Sequence, residues 1–206
     1  MMKRALLLSI ALLLLGGCFK IPRETLEIVR YTFRPTELAS PSDTSYDGAL
    51  LVMPFTASVV QHGDRIVYKG NDQEMATYYY HRWIAPPELL LADLLAESLL
   101  EANIFSGGIY TMTSGIAPSH ELQGRLVHLY ADNRRGEQAA VVEIVLSIFS
   151  LDPTTYEKVL VLQKPYRYRV KREDGKIDSF IPAVTEAMEL WLSDVRVDLV
   201  TMLAEQ

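Results

Sequence analysis

The side chains best suited to chemistry in this 206-residue sequence are scattered along it. The 4 histidines are His62, His81, His120 and His128, and none has the H-E-x-x-H spacing that sets two ring nitrogens on one helix face for zinc. Ser119, His120 and Glu121 supply a nucleophile, a base and a carboxylate. As chain neighbours they cannot converge from separate elements in the way a triad does. Ser114-Gly115 lacks the leading glycine of a nucleophile elbow, because Met112 stands in its place. No G-x-x-x-x-G-K-[ST] loop is present to cradle a nucleotide's phosphates. These patterns predict no catalytic residue, no metal and no cofactor. Two groups suit binding instead. Arg167, Arg169 and Lys171 alternate with Tyr166, Tyr168 and Val170, so in a strand the basic side chains share one face. They are candidates for contact with lipid phosphates or an acidic partner; the alternative is a solvated face whose charges block edge pairing. Tyr78, Tyr80, Arg82 and Trp83, with Tyr79 among them, are the candidate partner interface, since Tyr, Trp and Arg are enriched at such surfaces. The alternative is that alternate tyrosines and Trp83 fill the core.

The single cysteine, Cys18, follows Leu15-Gly16-Gly17. Ahead of it come a basic pair, Lys3 and Arg4, and an apolar run from Ala5 to Leu15, which is signal-peptide length and short for a membrane span. This arrangement resembles the lipobox of bacterial lipoproteins. The resemblance implies that the Cys18 thiol takes a diacylglyceryl group in thioether linkage. Cleavage after Gly17 then leaves the Cys18 amine free for acylation. Small residues suit a peptidase site that must close around the scissile bond. Acyl chains anchor at roughly 0.8 kcal/mol per buried CH₂. With its thiol consumed, the mature chain has no disulfide and no cysteine metal site. Loss of Lys3 and Arg4 with the leader takes the formal charge from −6 to −8. An acidic balance argues against a nucleic-acid partner. Residue 19 is Phe rather than the Asp that signals inner-membrane retention, so the expected location is the outer membrane, facing the periplasm.

Three segments follow: a signal peptide at 1–17, the lipidated cysteine with a short tether at 18–26, and one folded domain at 27–206. Glu27 to Phe33 alternates as a first strand, and Pro35 to Asp47 reads as loop. Ala49 to Phe55 is a short continuous apolar run, which fits a strand buried on both faces and ended by Pro54. Arg65–Tyr68 and Met75–His81 form a hairpin through Gly70-Asn71-Asp72. Arg82 and Trp83 turn the corner. Pro86 and Pro87 stop the extended segment, and Pro87 opens a leucine-rich helix with Glu88 near its positive end. Asp93, Glu97 and Glu101 leave that helix one narrow solvated stripe, so the rest of its surface calls for cover. Ser106-Gly107-Gly108 reads as a glycine stop. A short strand at Ile109–Met112 precedes three long ones, at 121–131, 139–151 and 156–171. The middle strand puts Ala140, Val142, Ile144, Leu146 and Ile148 on one face. Ser179 to Ala204 closes the chain as a helix with Pro182 in its first turn and an apolar face of Val184, Met188, Trp191, Val195, Leu199 and Met202. The fold class is α+β: a single domain, mostly antiparallel sheet, with two helices packed on one face.

Tyr79-x-x-Arg82-Trp83-x-x-Pro86-Pro87 ahead of a leucine-rich helix, Tyr31 near the first strand, and Leu122-x-Gly124 opening the meander occur in an order similar to one family. It is the ABC-type transport auxiliary lipoproteins, PqiC-like lipoproteins of MCE-type and related intermembrane systems. The resemblance spans nearly all of the mature chain. It implies a lipid-anchored subunit of a system that moves lipids or other hydrophobic molecules across the envelope. The implied partners are an MCE-domain protein and ABC permease or ATPase subunits, with a homo-oligomer as a further implication. The chain itself would not be an enzyme, and its only non-protein groups would be the acyl chains on Cys18. Two other readings remain open from the residues. A lipid-binding carrier would show a large apolar cavity between sheet and helices. A hydrolase of unrecognised type would show a cleft where Ser, His and a carboxylate converge.

Overall fold

The computed structural model describes residues 27–205 except 39, 42, 43, 73, 112–116 and 156. The assigned signal peptide, Cys18 and the tether through residue 26 lie outside the described residues, as do Met112 and the expected strand start at Tyr156.

Three long strands build the frame: β7 (His120–Asp132), β8 (Ala139–Leu151) and β9 (Lys158–Lys171). They form the antiparallel meander that their turn signals predict. The six strands before them are shorter. These are β1 (Val29–Tyr31), β2 (Leu50–Val52), β3 (Thr56–Ala57), β4 (Arg65–Lys69), β5 (Met75–Trp83) and β6 (Ile109–Tyr110). The helices are α1 (Pro87–Glu101) and α2 (Ile177–Ala204).

β7 is the centre of the sheet. One edge pairs with β8 along its whole length. The other edge takes β2, β3 and β4 in succession, all parallel to it. β6 adds parallel to β2, β5 adds antiparallel to β4, and β1 closes that side parallel to β5. The long ladders are thus antiparallel, as expected, but the sheet is mixed because every short strand that meets β7 is parallel. Parallel neighbours need a crossover, and α1 with the segment after it supplies the one between the β4–β5 hairpin and β7.

The inward residues of β8 are all fully buried, from Ala140 through Ile148. The predicted apolar face of α2 lies on them and is buried throughout. Leu50, Leu51 and Val52 are buried on both faces, as the continuous run predicts. Both helices and the inner face of the sheet share one hydrophobic core.

Four local expectations are corrected. β5 runs on through Arg82 and Trp83, so the turn begins two residues later, at Ile84. α1 stops at Glu101, because Asn103 takes φ 52°; asparagine tolerates the left-handed region and serves as a helix stop in place of glycine. Leu89 and Leu100 are exposed, so the uncovered part of α1 is wider than its acidic stripe. α2 begins at Ile177, two residues early, which puts Pro182 in the second turn; lacking an N–H, it leaves the Asp178 carbonyl without its i+4 partner.

Candidate functional site

The tyrosine corner is not one surface. Trp83 is 1 % exposed. Its ring lies 5.1 Å from Phe33, edge to face, and 6.0 Å from Phe180 of α2. It is a core residue, and its candidacy as an interface residue is corrected on that ground. Tyr78 is half-buried, its ring against Tyr68 at 4.8 Å and its hydroxyl accepting from Asn133 Nδ2 at 2.9 Å. Tyr80 is 37 % exposed and Tyr79 77 %. Their rings meet edge to face at 4.7 Å. The strand register explains the split. Thr77 pairs with Val67 and Arg82 with Arg65, so Tyr78 to His81 stand opposite Ile66 alone. The surplus residues bulge out of the ladder and carry Tyr79 and Tyr80 into solvent. Arg82 is half-buried, with Nη1 3.4 Å from both Asp64 carboxylate oxygens.

The three basic residues of β9 do share a face, but two of them are already paired. Arg167 donates from Nε to Glu143 Oε1 at 2.9 Å, across the β8–β9 ladder where the two are register partners. Arg169 donates to Asp132 Oδ2 at 3.0 Å and to the Glu137 carbonyl at 2.8 Å. Lys171 is exposed at the strand end. The face therefore carries acidic partners beside its cations, which corrects the picture of a free basic row. Asp132 anchors this group. It is fully buried and accepts from Arg134 Nε at 2.9 Å and Nη2 at 2.7 Å. Those bonds come first among the causes that hold its carboxyl far below the usual carboxylate range.

β9 also ties α2 to the sheet. Tyr166 donates to Asp198 at 2.7 Å, and Lys164 Nζ reaches the same carboxylate oxygen at 2.7 Å. Tyr168 donates to Asp194 at 2.7 Å. Burial first, then these hydrogen bonds, push both phenols well above their ordinary value.

The serine–histidine neighbours do touch: Ser119 Oγ lies 3.0 Å from His120 Nδ1. The hydroxyl is also held by Ala49, accepting from its N–H and lying 3.1 Å from its carbonyl. Glu121 turns to the other side of β7, where Lys158 Nζ lies 2.7 Å from each of its oxygens. Serine, histidine and carboxylate thus do not line one cleft. No cluster of three metal-ligating side chains occurs among the described residues. A depression of about 720 Å³ lies on the outer face of the sheet, lined by polar residues such as Gln123, Arg125, Ser147 and Gln163 together with Met53 and Val127. A second, about 510 Å³, lies between α1, α2 and the loop after β1 and is lined by Arg34, Glu101, Glu189 and Arg196 among others. Both are open surface depressions, and neither is the enclosed apolar cavity between sheet and helices that a lipid carrier needs. Among the described residues no helix is long and apolar enough to cross a membrane.

An antiparallel meander with a helix clasped to its last strand, and a succession of short parallel strands along its first, is shared with solved structures of low sequence identity. One, from Xanthomonas campestris and assigned to the family model DUF330, superposes with a TM-score of 0.71 at 14 % identity, covering 86 % of this chain and 98 % of its own. A second, titled an uncharacterized protein, gives 0.58 at 10 % identity, covering 78 % of this chain and 97 % of its own. No curated protein matches the sequence. The family model described as ABC-type transport auxiliary lipoprotein component matches residues 31–195. The chain belongs to that family, and with it to membrane-anchored lipoproteins of the cell envelope that serve ABC-type transport.

Sequence reasoning reached Tyr79 as part of the patch but left it outside the candidate set. The missing signal was strand register, which sequence alternation does not contain.

Proposed function

We propose that this chain is the lipid-anchored, periplasm-facing subunit of an envelope transport system that moves lipids or related hydrophobic molecules, and that it docks an MCE-type partner at the outer membrane. The family match across residues 31–195 carries the reading. The Leu15-Gly16-Gly17-Cys18 sequence supplies the means of attachment, and Phe19 in place of Asp favours the outer membrane. The chain catalyses no reaction in this scheme. ATP hydrolysis and passage through the inner membrane belong to permease and ATPase subunits, and the acyl groups on Cys18 are its only non-protein parts. Of the corner, the Tyr79–Tyr80 bulge is exposed and Arg82 is half-buried.

The test is maturation and co-purification together. Cys18→Ser replaces a thiolate by a far weaker nucleophile, so labelled fatty acid incorporation is lost and the precursor accumulates. Affinity isolation of the wild-type chain from membrane extract brings down an MCE-domain protein and permease subunits. Normal, globomycin-sensitive maturation of the serine variant overturns the anchor; recovery of the lipidated chain without transport subunits overturns the docking role.

A further inference from the structure

Three arginines stand side by side across three neighbouring strands. Arg30 of β1 is the register partner of Arg82 of β5, and Arg82 is the register partner of Arg65 of β4. Register partners share a face of the sheet. The next residues along β5 and β4, Trp83 and Ile66, point into the core and are buried. The arginines therefore line the opposite face. With strands about 4.8 Å apart, the row spans roughly 10 Å.

Like charges directly opposite one another in a sheet repel. Asp64 answers only Arg82. Arg30 and Arg65 are exposed, and neither has an ion pair or a side-chain hydrogen bond among the described residues. Elsewhere on this sheet Arg167 is paired with Glu143 and Arg169 with Asp132. This row has one carboxylate for three guanidinium groups. A guanidinium fork matches a phosphate's oxygens in geometry as well as charge.

The surroundings say which phosphate. The bulge that exposes Tyr79 and Tyr80 immediately precedes Arg82 in β5. Ile28 and Val29, both exposed, precede Arg30 in β1. Tyrosine and aliphatic side chains beside arginine are the set that settles at a bilayer's headgroup level. Nine residue steps separate Cys18 from Glu27, a reach of about 32 Å at most. Glu27 leads straight into β1. This edge of the sheet is thus the one held closest to an anchor at Cys18. The whole chain, the row included, is acidic overall, with a formal charge of −6 before leader loss, so the remainder is repelled by an anionic surface that attracts the row.

We propose that the Arg30–Arg82–Arg65 row, flanked by Tyr79, Tyr80, Ile28 and Val29, seats the domain on the phosphate headgroups of the bilayer that holds its anchor. The proposal rests on the lipid-anchored reading given above. It fixes the orientation of the domain: the β1 edge faces the membrane, and the β9 edge faces the periplasm.

The experiment uses the full lipidated chain in vesicles of phosphatidylcholine and phosphatidylglycerol at 3:1. Because acylation consumes the only native thiol, a single spin label can be placed at Tyr79→Cys and, as a far-edge control, at Glu157→Cys. Collision with a water-soluble nickel reagent and with oxygen reports depth, and flotation of the vesicles reports the anchor. The expected result is that label 79 is shielded from nickel and label 157 is not. Arg30→Gln with Arg65→Gln removes two charges near the surface, which lowers the docked-to-undocked ratio roughly thirtyfold and abolishes the shielding. Flotation and melting temperature stay unchanged, since neither arginine has a partner to lose. A label 79 as wet as label 157 on floating vesicles overturns the proposal and leaves the anchor standing. So does shielding that survives the double substitution, or that appears only when membrane-extract proteins are added. A wild-type chain that does not float overturns the anchored reading and this one with it.

Discussion

A Cβ on Gly124 would stand 2.4 Å from three carbons of the Phe55 ring. The ring occupies the space that a side chain at 124 would fill, and it meets Trp191 of α2 edge to face at 6.4 Å. Gly124 is therefore the gap in β7 through which the loop after β2 reaches the core.

Gly124→Ala forces that ring aside and is expected to cost about 1–3 kcal/mol, the range for overpacking a filled core. Phe55→Ala is expected to cost about 3–5 kcal/mol. Combined, the two cost less than their sum, with a coupling of about 0.5–3 kcal/mol, because the alanine methyl no longer meets a ring. Urea unfolding of the four members of the cycle measures this. Strict additivity rejects the contact.

Trp83 and Tyr79 lie four residues apart in one strand and are expected to respond oppositely. Trp83→Ala removes a side chain packed between Phe33 and Phe180 and is expected to cost about 3–5 kcal/mol. Tyr79→Ala changes stability by no more than about 0.5 kcal/mol, as exposed positions do. Thermal melts distinguish them. A melting temperature for Trp83→Ala equal to the wild type's would return that residue to the surface.

Asp132→Asn is expected to cost about 1.5–3 kcal/mol at neutral pH, the range for hydrogen bonds to a charged group. Because Arg134 depresses the Asp132 carboxyl in the folded chain, its stabilisation is fully present above the unfolded value of about 3.9. It fades as pH falls below that value, where the unfolded chain takes up the proton first. The gap between wild type and variant should thus be constant from pH 7 to about 5 and shrink below about 4. Denaturant titrations at three pH values check it; a gap that widens in acid has the wrong sign.

The clasp between β9 and α2 predicts sensitivity to alkali. Tyr166 and Tyr168 resist ionisation in the fold, first through burial and then through Asp198 and Asp194. An unfolded tyrosine ionises near pH 10, so stability falls as pH rises past about 10, where only the unfolded chain loses those protons. In the Tyr166→Phe, Tyr168→Phe double variant the decline is shallower, although the variant is less stable at pH 7. Unfolding followed by tyrosinate absorbance at 295 nm reads both, and an unchanged slope counts against the clasp.

Much of this architecture was legible in the chain itself. Strict alternation from Ala140 to Ile148 and the three-and-four spacing from Val184 to Met202 each specify one buried face, and both faces are buried as specified. Turn residues between long strands specify antiparallel neighbours, because a short connection can join strands in no other way. Composition and the residues around Cys18 point to an anchored envelope protein. The family match agrees with that class.

The tertiary structure decided what depends on partners remote in sequence. An apolar run such as Leu50–Val52 announces burial but not direction, and only its pairing with residues 120–122 makes it parallel. Arg167 looks free in the sequence and is neutralised by Glu143, 24 residues away along the chain and opposite it in the ladder. Trp83 adjoins exposed tyrosines, yet Phe33 and Phe180 enclose it from the first strand and the last helix. The bulge at Tyr78–His81 and the row of Arg30, Arg82 and Arg65 are matters of register. Register is set by how whole strands align when the sheet buries one face, and no single strand carries it.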